Sequence, residues 1–534
     1  MKLPLSLCVS LAALLWTGVA ALASTGEKPN IIYILADDWG LGDVKAYGGE
    51  RCKIDTPHMD RLAEKGMKFT DAHSSSAVCS PTRYSILTGR YNWRSSLKSG
   101  VLRGFSEPLL EPGRETVASL LKKNGYATSI IGKWHLGMDF PTTDGKKVDE
   151  KGKNTDWKGR IKNGPTAVGF DKYWGISASL DMPPYIWIEN ERFVGECTTE
   201  KTLHPGRRGP SHPDFEAADV LPTLTERAVS TITEQAKSGQ PFFIYMPLNS
   251  PHCPIVPSKE FQGKSSVGSY GDFVMETDWA VGQVVDAVER AGIADNTLII
   301  VTSDNGCSNV PSKRGQDKGR IKFRMGENQP DDPEAHYPSD IYRGHKADIY
   351  EGGHRVPFIA RWDGKVKPGS VSNDPVCLMD LFATCAEIVG AKTNDSTAED
   401  SVSILPALLG TANKPLREAV VHHSIDGSFA IRQGKWKLAF CPGSGGWSEP
   451  VPPSGKRKGA KKEPVKDWVQ LFDLEADPAE TKNLASSHPD IVTNLTALMQ
   501  KYIATGRSTP GAPQKNTDET FLYPLWIREG RPGI

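Results

Sequence analysis

The chain predicts an α/β fold, a largely parallel sheet covered by helices on both faces, followed by a smaller α+β domain. Three observations carry this. Short apolar runs of strand length alternate with helical patterns through the first two thirds of the chain. Several runs are apolar throughout, as strands buried on both faces require. At 534 residues the chain also exceeds the roughly 250 to 300 at which a single core tends to divide.

The elements follow in order. "PNIIYILADDWG" reads as a buried strand with Asp37 and Asp38 at its C-terminal end. "ETVASLLKKNGYATSIIGKWH" gives a helix, a glycine stop at Gly125, and a strand ending at Lys133 and His135. "LPTLTERAVSTITEQAKSGQPFFIYMPLNSPH" repeats the pattern and runs out at His252. The next helix places Val281, Val284, Val285 and Val288 on one face, and its partner strand "NTLIIVTSDNG" stops at Asp304 and Asn305. "VPFIARW" is one more strand. In open parallel sheets ligands bind beyond the carboxyl ends of the strands, where each of these polar clusters falls. One site assembled from distant segments is the expectation.

Beyond residue 414 the texture changes. "SFAIRQGKWKLAF" and "DWVQLFDLEADPAE" read as amphipathic strands, and "HPDIVTNLTALMQKYIATG" as a closing helix. Residues 24–414 are assigned to the catalytic α/β domain and 415–534 to the smaller one, which contributes to the substrate pocket. Between its strands an insertion carries Lys456, Arg457, Lys458, Lys461 and Lys462, either a solvated loop or a contact for a polyanion.

Residues 1–23 have a positive start at Lys2, an apolar run from Leu3 to Trp16, and small residues at Ala21 and Ala23. They read as a signal peptide, with a retained anchor as the alternative, so the protein is expected to be secreted or periplasmic. No later segment is long enough to span a bilayer, so no stable membrane insertion is expected after cleavage. Lys+Arg and Asp+Glu are both 64, which gives no reason to expect a nucleic-acid partner. The eight cysteines beyond Cys8 are scattered, with neither a CxxC pair nor a dense disulfide framework.

Asp37, Asp38, Asp304 and Asn305 offer oxygen donors only, which suits Ca²⁺ or Mg²⁺ better than zinc; singly, "DD" and "SDNG" are also ordinary caps and turns. Cys79 lies in "AVCSPTRYSILTGRY". A structural thiol would have apolar neighbours, and a thiolate nucleophile could draw on Arg83 to lower its pKa. Neither reading explains Pro81.

"CSPTRYSILTG" resembles the signature of the formylglycine-dependent sulfatases, members of the alkaline phosphatase superfamily, in which a cysteine is oxidised to formylglycine. "GYATSIIGKWH", "ILADDWG", "TSDNG" and "HKADIYEGGHRVP" are similar to further blocks of that family, in its order. The resemblance implies an alkaline-phosphatase-like α/β/α sandwich with a large mixed, mostly parallel sheet of about ten strands, and an antiparallel sheet in the C-terminal domain. It implies a sulfuric ester hydrolase, similar to secreted bacterial arylsulfatases and carbohydrate sulfatases. Its cofactors would be Ca²⁺, with Mg²⁺ as the other option, and the formylglycine made from Cys79 by a formylglycine-generating maturation enzyme. Asp37, Asp38, Asp304, Asn305 and residue 79 would hold the cation. Arg83 would fix the formylglycine hydrate, Lys133 and His135 would flank it, and His252 and Lys346 would contact the sulfate and the leaving oxygen. His252 would be the general acid and His135 the base for sulfate release.

The expected substrate is a sulfated carbohydrate, with 6-O-sulfated galactose or N-acetylgalactosamine as the narrower reading. Asp181, Tyr185 and Trp187 in one stretch and His422 and His423 in another are the candidate sugar-binding residues. A phosphatase or phosphodiesterase of the same superfamily, or a non-catalytic binder of sulfated polysaccharide, would be the competing readings.

Overall fold

The computed structural model describes residues 28–309, 332–450 and 468–518; the leader and the basic insertion lie outside them. Ten strands form the principal sheet: β1 (Asn30–Asp37), β2 (Met67–Phe69), β3 (Ala127–Lys133), β4 (Lys172–Ile176), β5 (Ile188–Glu189), β6 (Arg192–Phe193), β7 (Phe242–Pro251), β8 (Thr297–Ser303), β9 (Phe358–Arg361) and β10 (Ser370–Ser372). Their spatial order is β10-β2-β9-β8-β1-β7-β3-β4-β5-β6. The central five, from β8 to β4, are parallel, and β9 and β5 enter antiparallel on either side. This is the mixed, mostly parallel sheet expected.

β1 shows how the sequence produces the layers. All eight of its residues are buried, and successive side chains alternate between faces. Ile31, Tyr33 and Leu35 join a core with α2 (Cys79–Thr88) and α3 (Val117–Lys123). Ile32, Ile34 and Ala36 join the opposite core with α4 (Val220–Ser238) and α5 (Ser269–Arg290). A strand sandwiched in this way has no polar face, hence the unbroken apolar run. The four valines of α5 all point into this second core.

The second sheet is antiparallel and four-stranded: β11 (Val420–His423), β12 (Phe429–Gln433), β13 (Trp436–Ala439) and β14 (Gln470–Asp473), with a helix, Pro489–Thr505, against it. β11 has no counterpart in the sequence reading, because its two histidines hide an apolar strand pattern. No disulfide joins the described cysteines, and none of the described helices is long and apolar enough to cross a membrane.

Candidate active site

Strand order brings the predicted clusters together. Adjacent strands β8, β1, β7 and β3 end, respectively, at Asp304–Asn305, Asp37–Asp38, His252 and Lys133–His135. Cys79 opens α2 at the same end, only 2% exposed, and Val78 precedes it in extended conformation. Pro81, unexplained by sequence alone, lies in the first turn, where a missing N–H costs the helix nothing. Thr88 Oγ1 bonds back to Tyr84 O at 2.8 Å, and Gly89 ends the helix at φ 65°. The signature is therefore one complete helix, with its N-terminal turn beside residue 79, where the helix dipole favours an anion.

Opposite charges interlock around Cys79. Lys133 Nζ lies 2.5 Å from Asp37 Oδ2, and Lys346 Nζ lies 2.7 Å from Asp38 Oδ1. Arg83 holds Asp304 Oδ2 with Nε at 3.0 Å and Nη2 at 2.7 Å, and its Nη1 donates to Lys133 O at 2.9 Å. Asn305 Nδ2 donates to Asp38 Oδ1 at 2.7 Å. Asp38 and His135 adopt left-handed backbone, φ 66° and 57°, conformations rare outside glycine and typical of constrained sites.

The charges set the protonation states. Burial raises the carboxyl of Asp37, but Lys133, His252, Arg83 and Lys346 outweigh it and hold the group well below the usual range. Asp304 is pushed up to about 6 by burial and the Asp37 charge, against Arg83. Burial and Lys346 lower His252, yet Asp38 and its other neighbours leave it well above the usual imidazole value. Burial, Lys133 and Arg83 hold His135 well below it. Burial raises the Cys79 thiol, with Lys133 and Lys346 opposing.

The residues present fit a hard divalent cation. Ligand atoms of Asp37, Asp38 and Asp304 lie within 4.8 Å of one another, as do those of Asp37, Cys79 and His252. Asp37 Oδ1 and Asn305 Oδ1 are buried without a hydrogen-bond partner, and unpaired buried oxygens are costly unless something satisfies them. The carboxylate and amide oxygens suit Ca²⁺ or Mg²⁺.

Lys346 arrives on a loop that the second sheet braces. Ala77 N donates to His423 O at 2.8 Å, Ala347 N to Ala77 O at 2.7 Å, and Ile425 N to Ala347 O at 3.0 Å. A Cβ on Gly306 would meet Gly352 O at 1.9 Å, so the "DNG" and "EGG" segments meet backbone to backbone. Glu351 and Arg355 pair at 2.8 Å.

Three expectations about sugar binding are corrected. His422 and His423 are fully buried on β11: His422 stacks on His354 with ring centroids 3.6 Å apart, and His423 contacts Asn92. Tyr185, 1% exposed, donates from its hydroxyl to Arg207 O and packs near Phe215. Trp187 stacks on Trp174. Tyr185 fills the core where the segment folds back along the sheet edge through β5, whereas Trp187 is only half-buried. Asp181 differs: Oδ2 pairs with Arg207 Nη1 at 2.6 Å while Oδ1 is buried and unpartnered, and the carboxylate lies near His204 and Cys253, the residue after His252.

A second cluster, His73, Glu351, His354 and His422, brings possible ligands within 4.8 Å of one another. Its arrangement does not suit a metal. The His354 and His422 planes are within 9° of parallel, so no ion can lie in both, and Lys437 Nζ is 3.0 Å from Glu351 Oε1 and from His354 Nε2.

Comparison with known proteins agrees with the geometry. The family model described as Sulfatase matches residues 29–391. Among characterised proteins, an N-acetylgalactosamine-6-O-sulfatase of Bacteroides thetaiotaomicron is 33% identical over 89% of this chain and 93% of its own length. Arylsulfatase A of Bos taurus is 32% identical over 89% of this chain and 88% of its own. A solved structure described for metabolism of multiple glycosaminoglycans by Bacteroides thetaiotaomicron superposes with a TM-score of 0.73 at 31% identity, covering 89% of this chain and 99% of that one.

Proposed function

Because the chain belongs to the sulfatase family and is a sulfuric ester hydrolase, we propose that it removes an O-sulfate group from a carbohydrate, using a formylglycine derived from Cys79 and a divalent cation. The observation that carries the mechanism is the ring of Asp37, Asp38, Asp304 and Asn305 oxygens interleaved with Arg83, Lys133 and Lys346 around residue 79. The three carboxylates match Arg83, Lys133 and Lys346 in number, so the positive charge of a bound divalent cation would be left to attract the monoanionic sulfate ester. Asp37, Asp38, Asp304 and Asn305 would hold Ca²⁺ or Mg²⁺, which when bound polarises a sulfate oxygen. A formylglycine hydrate at position 79 would supply two geminal hydroxyls, one as the nucleophile and one as the group that allows release of the sulfate.

The chain's own groups do the rest. Arg83, Lys133 and Lys346 are fixed before substrate arrives, and preorganised charge of this kind is usually the largest catalytic contribution. His252 accepts its role as general acid from its hydrogen bonding: Nδ1 donates to Cys253 O at 2.5 Å, and Nε2 remains as the proton-carrying face, 3.7 Å from Asp38 Oδ2. A sugar alkoxide leaves poorly, so a proton delivered here has a large effect.

For the substrate we favour a 6-O-sulfated galactose or N-acetylgalactosamine, on the likeness to the bacterial N-acetylgalactosamine-6-O-sulfatase. The Asp181–Arg207 pair beside Cys253 is placed to meet sugar hydroxyls. Export by the N-terminal segment and maturation by a formylglycine-generating enzyme complete the reading, with residues 24–414 as the catalytic domain and 415–534 bracing its pocket. The test is sulfate release from 6-sulfated N-acetylgalactosamine and galactose by protein co-produced with that enzyme. Release from neither, with residue 79 shown by mass spectrometry to be converted, would refute the substrate assignment.

A further inference from the structure

The loop of residues 442–450 is tied down beyond what a surface connection needs, and the group it displays is Trp447. Asp348, fully buried and two residues past Lys346, accepts from His345 N at 2.9 Å, Trp447 N at 2.7 Å, Ser448 N at 3.0 Å and Ser448 Oγ at 2.5 Å. Ile349 N donates to Ser444 O at 2.7 Å, and Ser444 Oγ closes the loop on Ser448 O at 2.6 Å. A Cβ on Gly446 would meet Ala347 O at 2.4 Å, so loop and Lys346 segment are in backbone contact. Ser444 and Ser448 are buried, whereas Trp447 is only half-buried.

The backbone of Trp447 is therefore fixed beside the Lys346 segment. The indole centroid is 6.4 Å from the His345 ring, and His345 adjoins Lys346 and bonds through Nδ1 to Lys346 O at 2.9 Å. We propose that Trp447 is a specificity-determining residue, a rigid aromatic platform against which the C–H face of the sulfated sugar packs while Lys346 engages the sulfate. This inference rests on the carbohydrate reading above. A pyranose with an axial hydroxyl leaves one face formed largely by C–H groups, which suits an aromatic ring with a free edge for polar contact. Because the loop is already ordered, binding meets little further entropy cost.

The experiment measures steady-state hydrolysis of 6-sulfated N-acetylgalactosamine, and competitive inhibition by inorganic sulfate, for the matured wild type, Trp447→Ala and Trp447→Phe. Sulfate touches the pocket but not the sugar platform. The expected result is a fall in kcat/KM of about 10-fold or more in Trp447→Ala, carried mainly by KM, with sulfate inhibition unchanged and Trp447→Phe largely restored. Unchanged kcat/KM in Trp447→Ala would overturn the inference. So would a parallel weakening of sulfate inhibition, which would mean that the indole only supports the Lys346 loop. A wild type that hydrolyses an aryl sulfate but no sulfated sugar would instead refute the carbohydrate reading, and the platform with it.

Discussion

His135 Nε2 meets the carbonyl oxygen of Leu102 at 2.8 Å, and Leu102 N in turn donates to Ser80 Oγ at 3.2 Å, in the residue next to Cys79. A carbonyl can only accept, so Nε2 carries the proton and Nδ1 is left bare. Nδ1 is buried without a partner, and burial with Lys133 and Arg83 keeps the ring neutral. This tautomer is the one a base requires. His135→Ala is expected to lower kcat by about 10²- to 10⁴-fold, the usual range for a lost acid–base group, with little change in thermal midpoint. The depressed value also means that His135 stays unprotonated well below about pH 6.5, the unperturbed imidazole value. Loss of the His135-dependent rate already at pH 6.5, in a profile of wild type against His135→Ala, would contradict this assignment.

Replacement of the nucleophile precursor should separate chemistry from folding. Cys79→Ser keeps nearly the same size at the start of α2, and Cys79 is in no disulfide. The variant is expected to fold with a thermal midpoint within a few degrees of wild type, consistent with a stability change under about 1 kcal/mol. Its sulfate release should fall to background. Retained turnover in Cys79→Ser, or in wild type whose residue 79 is an unconverted thiol by mass spectrometry, would exclude formylglycine chemistry.

The sequence made the parallel core and the polar cluster at its strand ends legible for the same physical reason. Strands buried on both faces must be apolar, so the polar residues at their ends, Asp37, Asp38, Lys133, Asp304 and Asn305, stand out as interruptions. Trp447 and Asp348 carried no such signal: they act together only because the loop of residues 442–450 folds across a backbone 100 residues distant. His422 misled for the opposite reason. Paired histidines suggest an exposed binding stretch, whereas β11 buries both against the catalytic layer, where His422 finds a stacking partner in His354. Pairing between sheets is set by tertiary context, which local pattern does not encode.

Chelation should be reversible by hard cations. With Asp37 Oδ1 and Asn305 Oδ1 buried and without hydrogen-bond partners, Ca²⁺ is expected to raise the thermal midpoint in a concentration-dependent way, since a ligand that binds only the folded state stabilises it by mass action. EDTA should lower sulfatase activity, and Ca²⁺ or Mg²⁺ should restore it better than Zn²⁺. Asn305→Ala removes one donor without adding charge, so its Ca²⁺ titration should shift to higher concentration. Restoration by zinc alone would favour the two-zinc chemistry of the phosphatase relatives.

The buried histidine cluster predicts how the protein fails in acid. His73, His354 and His422 are fully buried, and each is held below the ordinary imidazole value, burial being the first cause in all three, with Lys437 adding to it at His354 and His422. The folded state keeps them neutral while the unfolded chain protonates them near pH 6.5, so the unfolded state binds more protons below that pH. Their stability contribution is therefore present above about pH 6.5 and declines as pH falls, by up to about 1.4 kcal/mol per pH unit for each imidazole until its folded pKa is reached. Over about pH 7 to pH 5 buried carboxyls of the folded state, Asp304 at about 6 and Glu480 at about 7, take up protons and oppose this decline, so the urea midpoint of a histidine variant against wild type isolates the cluster. His422→Leu removes an imidazole with no hydrogen bond on either ring nitrogen, so it should fold and should show a shallower acid decline than wild type. An identical slope in His422→Leu and wild type would show that the cluster plays no part in acid lability.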